Sequence, residues 1–77
     1  MVVLLNTYER LKEFVKVAEG LHGSLIVYSK TTPQAIINGS SIIGLLTLNL
    51  SVPIMVEYRG EDQKEKENVF AKLRSFN

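Results

Sequence analysis

Ile37-Asn38-Gly39-Ser40-Ser41-Ile42-Ile43-Gly44-Leu45-Leu46-Thr47-Leu48-Asn49-Leu50 is the stretch on which the reading of this chain turns. Asn38-Gly39 stops an apolar run, and Ser40 or Ser41 can cap a helix by accepting backbone N–H bonds from its first turn. The residues behind that cap are too apolar for a loop. A strand end, a cap and a short helix are expected here. Ile42, Ile43, Leu45, Leu46, Leu48 and Leu50 are more apolar side chains than one buried stripe can hold, so some should face water, and a surface of that kind meets a partner.

Upstream, Leu25-Ile26-Val27-Tyr28 reads as a strand reaching Ser29, Lys30 to Gln34 as a polar loop, and Ala35-Ile36-Ile37 as the returning strand. Pro33 cannot supply a ladder N–H, so the hairpin tip at Thr31 to Gln34 should be longer than a two-residue turn. Further upstream, Tyr8, Leu11, Phe14, Val15, Ala18 and Leu21 recur at helical spacing, with Glu9, Lys12, Glu13, Lys16 and Glu19 on the wet face. Asn6 or Thr7 can cap this helix, and Glu9 stands three residues after Asn6 in the spacing of a capping box. His22-Gly23 is its expected stop, because glycine tolerates a left-handed conformation and a histidine near the last carbonyls suits the dipole. Met1 to Leu5 reads as a strand, being too short for a signal peptide's core or a membrane span.

Downstream, Ser51-Val52-Pro53 turns the chain, and Ile54, Val56 and Tyr58 alternate with Met55, Glu57 and Arg59 in a strand with one buried face. Gly60 breaks it. Glu61 and Asp62 bring negative charge to the positive end of a last helix, whose apolar stripe is Val69, Phe70 and Leu73 with Phe76 beyond, and whose exposed part is Gln63 to Asn68. The order βαββαβα predicts an α+β fold, a four-stranded antiparallel sheet with three helices on one face, and one domain over residues 1–77.

Composition narrows the function. With no cysteine there is neither a disulfide nor a thiolate metal site, and a single histidine argues against a histidine-based metal centre. No cofactor is expected. Cysteine usage fits a cytoplasmic location. A formal net charge of +1, with scattered Lys and Arg, offers no broad attraction to nucleic acid or to a membrane surface. There is no glycine-rich phosphate loop and no nucleophile with a histidine base beside it, so an enzyme is not expected.

Ser41-Ile42-Ile43-Gly44-Leu45-Leu46-Thr47-Leu48-Asn49-Leu50 resembles the segment around the regulatory serine of HPr, the histidine-containing phosphocarrier of the bacterial sugar phosphotransferase system. Gly60-Glu61-Asp62 before an amphipathic helix resembles the family's last strand-to-helix junction, and Leu25 to Asn38 its central hairpin. With the first helix, the resemblance covers most of the chain. It implies the family's open-faced β-sandwich. By match to the family's inward-facing positions it also places Leu45, Leu48 and Leu50 in the core, leaving Ile42, Ile43 and Leu46 as an exposed protein-binding patch.

The family carries its phosphoryl group on a histidine that opens the first helix within Gly-x-His-Ala-Arg-Pro, with helix-end N–H groups and the arginine holding the phosphate. Laid on that pattern, Thr7 falls near the histidine, Glu9 near the arginine and Arg10 near the proline, so none of the three residues is retained. Gly20-Leu21-His22 imitates the start of the motif, but a strand follows it where the carrier's histidine must open a helix. Ser41 matches the serine that a dedicated kinase phosphorylates in the family's Gram-positive branch, and it is equally an N-cap.

The expected function is that of an HPr-like domain that has lost its phosphoacceptor and acts in regulation by binding protein. Two alternatives stand beside it. One is a working phosphocarrier component; the other is a structural domain that self-associates through the same patch. A monomer or a weak dimer is expected.

Overall fold

The computed structural model describes residues 1–76. The chain runs β1 (Val2–Val3), α1 (Tyr8–Glu19), β2 (Ser24–Tyr28), β3 (Ile37–Asn38), α2 (Ile42–Leu45), β4 (Ile54–Arg59) and α3 (Gln63–Leu73), which continues into a 3-10 turn, Arg74–Phe76. This is an α+β fold with one open, four-stranded antiparallel sheet in the order β1-β4-β2-β3.

Register decides what the sheet buries. Leu25 faces Tyr58 and Val27 faces Val56 across β2 and β4, while Ile37 lies opposite Val27 and Val3 opposite Ile54. Successive strand side chains point to opposite faces, so all of these share one face. Val3, Leu25, Val27, Ile54 and Val56 are buried there in one cluster with Leu11, Phe14 and Val15 of α1, Leu45 of α2, and Val69 and Leu73 of α3. Phe76 closes the cluster edge-on against Phe14, with ring centroids 6.5 Å apart. The other face carries Ser24, Tyr28, Met55 and Glu57 and stays open. Ile26, also on that face, is buried outside the main cluster, in register with Glu57 and Asn38.

Several boundaries differ from those the sequence predicts. The returning strand is Ile37–Asn38 rather than Ala35 to Ile37, and Ile36 is exposed. The hairpin loop takes the missing backbone groups: Ala35 N–H donates to the Thr32 carbonyl across Pro33, and Thr32 N–H donates to Ser29. The second helix is a single turn that ends at Leu45, not a helix to Leu50. The Thr47 hydroxyl and N–H both go to the Gly44 carbonyl, and the Asn49 carboxamide oxygen accepts from the N–H and hydroxyl of Ser51, so side chains compete with the helical ladder.

The first helix stops at Glu19 with Gly20 as its cap, three residues before His22-Gly23. No described residue has a positive φ, so the left-handed stop expected at Gly23 does not occur. Space, rather than backbone freedom, is what Gly23 provides: a Cβ there would stand 2.5 Å from the Tyr58 hydroxyl and 2.7 Å from the Arg59 carbonyl. Among the described residues no helix is long and apolar enough to cross a membrane.

Candidate interaction surface

The short helix α2 is held at three points. Ser41 Oγ accepts the Gly44 N–H at 3.1 Å, and the Ser41 carbonyl accepts the Leu45 N–H at 2.9 Å. Gly44 sits so close to β3 that a Cβ there would stand 2.9 Å from Ile37 Cγ2. This contact fixes the rotation of the helix. Leu45 is driven into the core at 0% exposure, and Ile43 and Leu46, three positions apart on one face, are left 81% and 61% exposed.

Ile42 does not join them as expected. It is half-buried against the core, because it lies three residues before the buried Leu45. Leu48 and Leu50, expected fully inside, are half-buried in the turns after the helix, where the ladder no longer aims them inward. Ser41 is the N-cap, while Ser40 bonds Asn38 Oδ1 through its N–H and hydroxyl.

A groove of about 220 Å³ separates this face from the start of α1, with Leu5 and Leu11 in its floor and Tyr8, Leu46 and Leu50 along its sides. Tyr8 is a correction to the predicted stripe of the first helix: it is 68% exposed, with Lys12 Nζ 5.5 Å from its ring centroid. The position is the first of the helix, where the axis has carried it past the edge of the core. Tyr8 thereby joins the surface instead of the interior.

Thr7 and Asn6 border the same groove. Thr7 is the cap of α1, its hydroxyl accepting the Arg10 N–H at 3.2 Å. The capping-box pairing of Asn6 with Glu9 is not the one used, since a cap at Thr7 puts Arg10 at the third helical position. The Arg10 guanidinium turns to the Leu4 and Phe76 carbonyls at 3.1 and 3.3 Å, and Leu4 N–H donates to Phe76 at 2.7 Å. Arg10 thus ties the start of α1 to the C-terminal turn. Glu9 is exposed.

His22 lies at the other end of α1, and its side chain is 96% exposed. Its backbone belongs to a junction that sequence reasoning missed. Glu65, expected on the exposed part of the last helix, has only 13% of its side chain exposed. It accepts Tyr58 Oη–H at 2.6 Å, the Gly23 N–H at 2.8 Å and the His22 N–H at 2.9 Å, with His22 Nδ1 3.4 Å away. The Tyr58 hydrogen bond, the two backbone N–H groups and the nearby imidazole hold the Glu65 carboxyl down at about 2, against a smaller opposing effect of burial. The same bond, aided by burial and the carboxylates of Glu65 and Asp62, lifts Tyr58 to about 12. One signal was present in the chain: Asp62 caps α3, and Glu65 stands three residues on, the spacing at which a glutamate reaches back to free N–H groups. Here it reaches across to another turn.

A second signal was also readable. From Thr31 to Val56 the chain has no Asp, Glu, Lys, Arg or His, and of the five exposed large hydrophobic residues among those described, four, Ile36, Ile43, Leu46 and Val52, lie within that run. Among the described residues no group of His, Asp and Glu side chains could hold a metal ion. No family model matches the chain, and no curated protein sequence matches it.

Proposed function

We propose that the domain works by binding another protein through Ile43 and Leu46, with Tyr8 across the groove, and that it is an HPr-like domain without phosphoryl transfer. The observation that carries this reading is the outward aim of Ile43 and Leu46 beside an apolar groove, while Leu45 between them is fully buried. Covering one such side chain is worth about 1.5 to 3 kcal/mol, which a partner gains and a lone domain forgoes. The element order βαββαβα and the serine-capped turn at Ser41 support the resemblance. At the start of α1, where the resemblance would put the phosphoacceptor, the Thr7 hydroxyl accepts the cap bond and the Arg10 guanidinium is bonded to the Leu4 and Phe76 carbonyls.

Ser41 is the regulatory position on this reading. A phosphoserine there would put charge beside Ile43 and Leu46 and weaken an apolar contact. Two measurements test the proposal. Glu at Ile43 or at Leu46 should abolish partner capture and leave the melting temperature nearly unchanged; unfolding by either change would return that residue to the core. Incubation with enzyme I and labelled phosphoenolpyruvate should leave the protein unlabelled, whereas acid-labile label on His22 would favour the phosphocarrier alternative.

A further inference from the structure

The absence of charge around α2 bears on what covers it. Charged residues make up 22% of the chain, so the run from Thr31 to Val56 would hold about six if they were spread evenly, and it holds none. The polar neighbours of Ile43 and Leu46 are hydroxyls and amides already engaged locally, in the bonds of Ser40, Ser41, Thr47 and Asn49. A partner with a charged face would find no counter-charge here, and its own ions would lose water without compensation.

A two-fold pairing brings the same patch together from both sides, so each charge in it would face a like charge or have to find an opposite one within the same patch. A charge-free patch escapes that restriction. Where charges begin, on α1, Glu9 and Lys12 lie side by side with opposite signs around one surface depression. A two-fold axis can set each against its mate in the other copy. The relief of the surface also fits itself, because Ile43 and Leu46 project while the groove between Leu46 and Tyr8 is hollow.

We infer that the partner seated on this face is a second copy of the same chain, in an isologous dimer built on Ile43, Leu46 and Tyr8; this rests on the protein-binding reading above. The dimer is weak. A standard interface buries about 800 Å² per partner, about a sixth of the 4897 Å² of this surface, which is more than these side chains cover.

Sedimentation velocity from about 1 μM to about 1 mM tests it. The expected result is a dimer fraction that rises with concentration and persists in high salt, since only the Glu9 and Lys12 rim is screened and no ion pair lies at the core. Leu46→Glu, and independently Ile43→Glu, should weaken the dimer at least tenfold, on the order expected for a central apolar anchor, with the circular dichroism and melting temperature retained. Dimerisation that salt abolishes, or that both variants leave intact, overturns the assignment of the interface. A chain that stays monomeric throughout, while immobilised wild type retains a protein that immobilised Leu46→Glu does not, overturns self-pairing and leaves the protein-binding reading standing. A monomer that retains nothing overturns both. A monomer that instead cosediments with phosphatidylcholine vesicles overturns self-pairing in favour of a lipid surface.

Discussion

At the junction of α3 with the turn between α1 and β2, Glu65 collects three hydrogen bonds and Tyr58 fills the space left by Gly23 and Gly60. Around α2, by contrast, Ser41 accepts the Gly44 and Leu45 N–H groups of the helix start, yet Ile43 and Leu46 are left in water. The first region is polar and closed on itself; the second is apolar and open. Polar groups are the ones a fold must satisfy internally, because leaving them buried and unpaired is expensive. Apolar groups on a surface carry no such demand, and a set of them held in water is where a second molecule would gain by covering them. The lesson is that the more elaborate cluster of side chains here is structural, and the plainer one is the candidate for function.

The comparison is broken most directly inside α2 itself. Leu45→Ala should cost about 2 to 5 kcal/mol in chemical denaturation, whereas Leu46→Ala should stay within about 0.5 kcal/mol of wild type. Equal losses at the two positions would mean the helix is rotated from the orientation that Gly44 and Ile37 impose. At the closed region, Gly23→Ala should destabilise by about 1 to 3 kcal/mol, since its Cβ meets the Tyr58 ring and the Arg59 carbonyl, and partner binding should persist once the protein is folded.

Titration sharpens the contrast further. Glu65 is lowered from an ordinary 4.5 to about 2, so its contribution is present above the ordinary value and is lost as pH falls through that interval. Tyr58 is raised from 10.0 to about 12, so its contribution is full below pH 10 and is lost as pH rises toward 12. Thermal melts of Glu65→Gln should be lower at neutral pH and should fall less steeply on acidification than wild type. An unchanged acid slope would remove Glu65 from the account. The smallest effect belongs to the caps. Thr7→Ala and Ser41→Ala should each cost about 1 kcal/mol, and loss of an activity at unchanged stability for Thr7→Ala would restore the start of α1 as a working site.

The order of strands and helices was legible because it depends on local periodicity and caps. Alternation in Ile54 to Arg59 marks a half-buried strand whatever it pairs with, and a serine after Asn38-Gly39 marks a helix start whatever the helix packs on. The existence of an exposed apolar set near α2 was legible too, since six apolar residues exceed one stripe. Which of them face outward was not. Ile42, Ile43 and Leu46 read alike as sequence, and only the approach of Gly44 to Ile37 turns Ile42 inward and the other two outward.

The same division runs through the whole chain. Composition and spacing determined an α+β chain of alternating strands and capped helices, because those are statements about residue identity and the intrinsic geometry of neighbouring positions. Tertiary structure alone decided that Tyr8 leaves the core for the surface and that Glu65 crosses to the backbone of His22 and Gly23. Each of these depends on groups far apart in the chain competing for one space or one hydrogen bond, and that competition exists only once the elements have packed.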